Sequence, residues 1–393
     1  MTVLISGIGI AGPTLAYWLS VYGIDSVLVE RAPQLRTGGY IIDFWGSGFD
    51  VAERMGLLLD IRREGYNVKE LRLINSRGRH VGGFDVDIFR TAAGGRYVSI
   101  PRSALARIIY RKIEGRCETI FGDSITAIQQ KADGVQVAFE HAAPRRFDAV
   151  VGADGLHSIV RKLMFGNEDR FEKFLGYSVA AFEAADYPLR DEDIFISYSV
   201  PGKQVGRFTM RDNRTLFLFV FAGEAGNRID PGDVQSQKKS LRSLYGNLGW
   251  ECPQILAALE SCDDLYFDSV SQIRMDKWSQ GRVGLVGDAA FCPSLLAGQG
   301  SALSMLAAYV LAGEMGKASR SLEEAFERYE QFLQTFIFNK QVAAEKFAGS
   351  FAPRTRLGLF LRNQATKIFA LPLVTGRVMK STLIDRIELP TYP

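Results

Sequence analysis

TVLISGIGIAGPTLAYWLSVYGIDSVLVE, residues 2–30, decides the fold. Residues 2–7 form a short apolar run rich in β-branched side chains, the pattern of a strand buried on both faces of a parallel sheet. Gly7, Gly9 and Gly12 follow in G-x-G-x-x-G spacing, with the small Ala11 inside the same turn. PTLAYWLSVYG then reads as a helix closing at Gly23, and SVLVE (26–30) as a second strand ending in Glu30. Gly7 permits the tight turn, Gly9 lets a pyrophosphate approach the backbone, and Gly12 lets helix and strand pack closely. The helix N-terminus offers free N–H groups and the positive end of its dipole to phosphates. Glu30, 18 residues after Gly12, stands where a carboxylate accepts hydrogen bonds from an adenosine ribose. The unit is a dinucleotide-binding βαβ; the bland alternative is a glycine-rich turn in another α/β fold.

Two further blocks lie far downstream. FDAVVGADGLHSIVRK (147–162) is an apolar strand, then Asp154-Gly155, then a helix start at Ser158 with a basic Arg161. GRVGLVGDAAFCPSLLAGQGSALSMLAAYVLAG (281–313) is another strand ending in Gly287-Asp288, followed by Pro293 and by Gly298-Gln299-Gly300 opening a small-residue helix. Both put an aspartate at the carboxyl end of a strand, where parallel sheets hold ligands. A helix starting near Gly300 aims unpaired N–H groups at whatever precedes it; read alone, it is a plain glycine-rich cap.

The remaining chemistry is bounded by composition. The 393 residues are 47% apolar and 23% charged, with a net charge of +3, which excludes a disordered chain and argues against a nucleic-acid partner. Cys117, Cys252, Cys262 and Cys292 are scattered, and His80, His141 and His157 form no cluster, so no metal site is expected. Reduced thiols and an N-terminus without a secretory pattern fit a cytoplasmic protein. Ala289 to Gly313 is uncharged, but its Gly, Ser, Pro and Gln content suits a buried core helix rather than a membrane span.

The three blocks, in this order, resemble the class A flavoprotein monooxygenases, with the para-hydroxybenzoate hydroxylase fold, over roughly residues 1–330. The resemblance implies FAD as cofactor. Glu30, with Arg31 beside it, would bind the adenosine ribose, and Asp288 the ribityl chain. Arg102, in PRSALARIIYRKI, would contact the flavin linker or pyrophosphate, and Asp154 and Gly155 would support FAD and a transient NADPH or NADH. The helix dipole at Gly300 would stabilise the anionic reduced flavin. The implied reaction is insertion of one oxygen from O2, through a flavin C4a-hydroperoxide, into an electron-rich small molecule.

RTGGYIIDFWGSGFDVAERMGL (36–57) narrows the resemblance. Its G-G-x-x-x-D and G-S-G pattern is similar to the tetracycline-inactivating monooxygenases, and antibiotic-tailoring hydroxylases carry related stretches. Asp43 and Gly46-Ser47-Gly48 would then lie along the flavin; read structurally, Ser47 or Asp50 is a helix N-cap. The chain departs from the family pattern at Phe291 (often His), Ala302 (often Asn) and Ala307-Ala308 (often Asp-Ala). Those departures keep open a non-catalytic flavin- or drug-binding protein. A halogenase on the same fold is disfavoured, because none of Trp18, Trp45, Trp250 or Trp278 sits in a W-x-W-x-I-P block.

Residues 71–97 (LRLIN, HVGGFDVDIF) and 172–222 (YSVAAFEA, DIFISYSV, QVGRFTM, RTLFLFVF) read as strands, with PGK (201–203) and RDN (211–213) as hairpin turns. The fold class is therefore α/β: a Rossmann-like FAD-binding domain (1–72, 98–166, 274–330) with an inserted mixed β-sheet substrate domain (73–97, 167–273) and a C-terminal helical segment (331–393). Alternation places Arg207, Thr209 and Arg211 on one sheet face, opposite Phe208 and Met210. Phe217, Phe219 and Phe221 oppose Leu216, Leu218 and Val220. Arg207, Thr209, Phe217 and Phe219 are candidate contacts to a flat polycyclic or aromatic substrate, with core packing as the alternative. No catalytic acid or base is identifiable, and a monomer is expected.

Ser321 and Glu324 form a capping box, and a further helix runs from TRLGLFLRNQATKIFALPLV toward Pro372. By resemblance, a C-terminal helix bridges the two domains. From Lys340 onward there are nine basic and three acidic residues. Such a tail is either a solvated face on helices whose apolar side covers the other domains, the expectation here, or a membrane-docking surface.

Overall fold

A computed structural model describes residues 1–223, 233–295, 298–317, 321–369 and 387–392. Its first layer is a six-stranded sheet in the order Ser279–Gln280, Val283–Leu285, Ala149–Gly152, Thr2–Ser6, Asp25–Glu30, Glu118–Phe121. All its pairings are parallel except that of the edge strand Ser279–Gln280. Val3, Leu4, Ile5, Leu28, Val150 and Val151 are wholly buried, as near-continuous apolar runs in a parallel sheet require. The strand ending in Glu30 and the strand before Asp154 flank Thr2–Ser6, the strand before Asp288 lies one place further out, and all run parallel, so the three acidic corners emerge along one edge.

The second layer is a seven-stranded sheet, Tyr266–Ile273, Glu172–Ala185, Arg214–Ala222, Lys203–Thr209, Ile194–Val200, Glu70–Ile74, His80–Asp85. It is mixed, because Ile194–Val200 runs parallel to Glu70–Ile74 while its other pairings are antiparallel. Asp212 and Asn213 take φ of 58° and 56° in the turn before Arg214, a left-handed pair suited to a tight hairpin. Two expectations shift. The strand does not run on through VDIF: it ends at Asp85, Asp87–Ala92 is helical, and Asp85 Oδ1 accepts the Asp87 amide at 2.8 Å, turning the chain out of the sheet. The expected boundary at 72/73 falls inside the strand Glu70–Ile74.

The sheet's two faces differ in use. Phe217, Phe219 and Phe221 pack with Leu241, Tyr245, Ile255 and Leu259 of the helices Val234–Tyr245 and Cys252–Glu260. Phe208, Met210 and Leu216 pack with Tyr66, Val68 and Val86, and Tyr40 and Tyr266 border that cluster.

The capping box at Ser321 and Glu324 forms, and it starts a 30-residue helix, Leu322–Phe351. Near its start Phe326 closes on Gly284, and the Tyr329 hydroxyl donates to the Leu285 carbonyl at 3.2 Å, both on the first sheet. Near its end Ala348 packs with Tyr177, Val179 and Val220 of the second. The helix therefore bridges the two layers. Arg356–Phe369 is a further helix; its expected end near Pro372 lies outside the described residues. Among the described residues no helix is long and apolar enough to cross a membrane. The uncharged stretch instead supplies Gly300–Met315, whose residues from Ala302 onward are all buried.

Candidate active site

The glycine turn is shaped by what each Cβ would meet. A Cβ on Gly12 would stand 2.0 Å from the Gly7 carbonyl oxygen, and one on Gly7, at φ 106°, would lie 2.5 Å from that of Ala153. These two glycines are demanded by the protein's own packing. Gly9 is different: the nearest atom to a Cβ there is Arg102 Nη2 at 3.6 Å. The fold itself leaves that space open beside a guanidinium, as a phosphate cradle requires. Glu30 accepts the amides of Ile8 at 2.9 Å and Ala32 at 3.0 Å, holding the turn against the second strand's tip. Arg31 is exposed.

Asp154 is deeply engaged within the protein. Its carboxylate takes the Ser158 hydroxyl at 2.5 Å and the amides of Ile159 at 2.9 Å and Val160 at 3.1 Å, while Ser158 caps the helix Ile159–Phe165. Burial nevertheless pushes its pKa up. Gly155, at φ 81°, has nothing around its Cβ position. Arg161 is buried and bonded to Glu168 at 2.9 Å, with carbonyls of Leu156 and Ala289 as further acceptors. His157, from the same block, bridges Glu168 at 3.0 Å and Asp268 at 3.1 Å, tying this loop to the second sheet. Its pKa is pushed from 6.5 up to about 9, by the hydrogen bond to Asp268 first and that to Glu168 next.

The third block holds unpartnered polar atoms. Buried Asp288 Oδ1 and Gln299 Nε2 have no hydrogen-bond partner among the described residues. Asp288 Oδ1 lies 3.6 Å from where a Cβ on Gly300 would stand, so it faces the start of the helix Gly300–Met315. Burial raises the Asp288 pKa, with the Arg102 cation opposing. Burial works against the charge of Arg102, but Tyr40, Asp288 and Tyr266 outweigh it and raise its pKa. Gly298 takes φ 67° and Ser294 φ 101°, the latter a left-handed position costly for a side-chain-bearing residue. The Pro293 carbonyl accepts Gln272 Nε2 at 3.0 Å, and Gln341 Nε2 reaches the carbonyls of Ile273, Phe291 and Cys292 at 2.7, 3.1 and 3.2 Å. Buried orphan groups beside an open glycine cradle fit a polar, extended ligand such as FAD.

Around Gly46-Ser47-Gly48, Gly46 (φ 72°) is the cap and Ser47 the first residue of the helix Ser47–Arg54; no side chain caps it. A Cβ on Gly48 would stand 2.3 Å from Ala302 Cα, so this helix crosses Gly300–Met315 with no room to spare. Asp43 accepts the Ser99 hydroxyl at 2.7 Å across the strand pair Ile41–Trp45 and Tyr97–Pro101.

The four candidate substrate contacts face away from this cradle. Phe217 and Phe219 are core to the outer helices. Arg207, cross-strand neighbour of Phe217, is 2% exposed and pairs with Glu251 at 2.9 Å and Asp191 at 2.5 Å. The Thr209 hydroxyl donates to the Arg190 carbonyl at 2.7 Å. Helices Val234–Tyr245 and Cys252–Glu260 cover that face and determine which side is core. A hollow of about 630 Å³ opens there, with Arg72, Arg190 and Arg207 already engaged by Asp191 and Glu251. The face toward the cradle carries Leu218 and Tyr266, and Tyr40, just before the strand Ile41–Trp45, meets it; the two tyrosine rings are 5.2 Å apart. Burial pushes the Tyr40 pKa up to about 12 and raises that of Tyr266 as well. Sequence alternation sorted these faces correctly but carried no sign of which one helices would cover.

A family model described as an FAD binding domain matches residues 1–333. An uncharacterized protein of Mycobacterium tuberculosis is 37% identical over 344 residues, covering 86% of this chain and 91% of that one. A flavin-dependent monooxygenase of Legionella longbeachae is 30% identical over 392 residues, 99% of this chain and 98% of that one. The crystal structure of tetracycline destructase Tet(51) superposes with a TM-score of 0.84 at 29% identity, covering 100% of this chain and 99% of that chain. The three acidic corners, the open cradle at Gly9 and these likenesses agree: the chain belongs to the class A FAD-dependent monooxygenases.

Proposed function

We propose that this protein uses NADPH or NADH, FAD and O2 to place one oxygen atom on an electron-rich polycyclic aromatic or polyketide substrate, with tetracyclines as the foremost class. The observation that carries the reading is the aromatic wall of Tyr40 and Tyr266 standing against Arg102 and Asp288. It sets an aromatic surface, its two rings tilted at 51°, beside the orphan polar groups of the cofactor cradle. The resemblance to tetracycline destructases Tet(51) and Tet(55), at TM-scores of 0.84 and 0.83, supports the substrate class.

Bound FAD supplies the redox chemistry. Glu30 would take the adenosine ribose, Gly9 and Arg102 the pyrophosphate, and Asp288 the ribityl hydroxyls. The amides opening the helix at Gly300 would be available to the flavin, with Gly298 keeping side chains clear. Tyr40, Tyr266 and Leu218 orient substrate and exclude water. The Phe291 and Ala302 departures are absorbed by packing: Phe291 lies against Trp278 at 4.8 Å, and Ala302 fills the crossing at Gly48. They therefore do not favour a non-catalytic binder.

The test is turnover. Purified FAD-loaded protein is incubated with tetracycline and NADPH or NADH in air. The expected result is cofactor oxidation that rises with substrate, and a product heavier by one oxygen. Cofactor oxidation without oxygenated product, across tetracyclines and related polyketides, overturns the proposal.

A further inference from the structure

The helix Arg356–Phe369 is turned inside out. Its polar side faces the protein. Thr366 Oγ1 accepts the Gly83 amide at 3.1 Å, and Arg362 reaches Gln204 Oε1, Ser199 Oγ and the Phe351 carbonyl at 3.3, 3.2 and 3.1 Å. No carboxylate is among those partners of Arg362, and burial lowers its pKa to about 10. The opposite side carries Leu357, Phe360, Leu361 and Ile368, which are 67, 58, 56 and 54% exposed. Spacings of three, four and seven residues put these four on one stripe of the helix. An isolated exposed leucine is ordinary; four large apolar side chains aligned outward, above a helix that buries an arginine, are not.

We infer that this stripe docks on an anionic lipid surface. The charge around it selects that occupant. Arg354, Arg356 and Lys367 are exposed beside the stripe, and residues 346–384 contain no Asp or Glu. A second copy meeting this face about a two-fold axis would oppose basic rim to basic rim. The following segment, 370–386, carries Arg377, Lys380 and Arg386 against the single Asp385, so it brings like charge too. Acidic lipid headgroups bring opposite charge, and the acyl boundary accepts the leucines and phenylalanine. No spanning helix is involved, since the stripe lies along one side of a 14-residue helix. The inference does not depend on the substrate.

FAD-loaded full-length protein is spun with vesicles of mixed phosphatidylglycerol and phosphatidylcholine, and with phosphatidylcholine alone. Binding to the anionic vesicles is expected, weakening as salt rises. The triple variant Leu357→Gln, Phe360→Gln, Leu361→Gln should lose about tenfold or more in partition while keeping its flavin absorbance. The double reversal Arg356→Glu, Lys367→Glu should lose the preference for anionic lipid. Absence of binding at low salt, or binding indifferent to both variants, overturns the inference. So does a dimer that the triple variant dissolves while wild type ignores vesicles.

Discussion

Glu30 Oε2 accepts the Ile8 amide at 2.9 Å, so the second strand's tip clasps the glycine turn that the cofactor phosphates approach. The same carboxylate is the acceptor proposed for the adenosine ribose. Glu30→Ala removes both roles. A charge-assisted hydrogen bond contributes about 1.5–3 kcal/mol, so FAD affinity should fall about 10- to 100-fold. Flavin fluorescence titration of the apoprotein measures this; unchanged affinity would place the ribose elsewhere.

Gly9 and Gly12 separate ligand binding from folding. Gly12→Ala sets a Cβ 2.0 Å from the Gly7 oxygen, and overpacking of that kind costs about 1–3 kcal/mol or more. The apoprotein's Tm should drop. Gly9→Ala meets no protein atom closer than 3.6 Å and should leave apoprotein Tm unchanged while abolishing flavin uptake. Thermal melts with and without FAD check the pair, and a Gly9→Ala protein that stays yellow contradicts the assignment of the cradle.

The two faces of strand Arg214–Ala222 should give opposite phenotypes. Phe219→Ala opens a hole among the outer helices and should cost about 3–5 kcal/mol of stability, with KM little changed in whatever folds. Leu218→Ala, beside Tyr40 and Tyr266, should shift KM for substrate with a smaller loss of stability. Denaturant melts and steady-state kinetics on both variants decide it.

His157 predicts a pH-dependent tether. Its folded-state pKa of about 9 exceeds the ordinary 6.5 because of Asp268 and Glu168. The stabilisation is therefore complete below pH 6.5 and lost as pH rises through about 9. With the side chain 44% exposed, solvent screening reduces it to the order of 1 kcal/mol. His157→Gln should be less stable than wild type at pH 6, with the gap closing by pH 9.5. A constant gap across that range would show that the ion pairs contribute nothing.

The first thirty residues disclosed their strand, helix and strand because local rules and tertiary demand coincide there: the same glycines satisfy turn geometry, packing and ligand approach. The acidic corners were legible for a related reason, since strand ends in a parallel sheet share one edge. The substrate side was not. Phe217 and Leu218 are adjacent and both apolar, and only the helices Val234–Tyr245 and Cys252–Glu260 determine which face is closed. Tyr40 and Tyr266 are 226 positions apart and meet only through the packing of the two layers. The apolar side of Arg356–Phe369 was expected to cover the other domains; it points outward instead, and Gly82 lets the polar side of the helix approach the strand closely.

Gln341 sits two-thirds of the way along the bridging helix with one side-chain amide in reach of Ile273 on the second sheet and of Phe291 and Cys292 after Asp288. With the Ile273 amide on the Cys292 carbonyl and Gln272 Nε2 on that of Pro293, it fastens the end of the strand Tyr266–Ile273 to this loop. The loop that carries Asp288 and Pro293 is therefore braced from the second sheet and from the bridging helix at once, and its position is shared between the two layers.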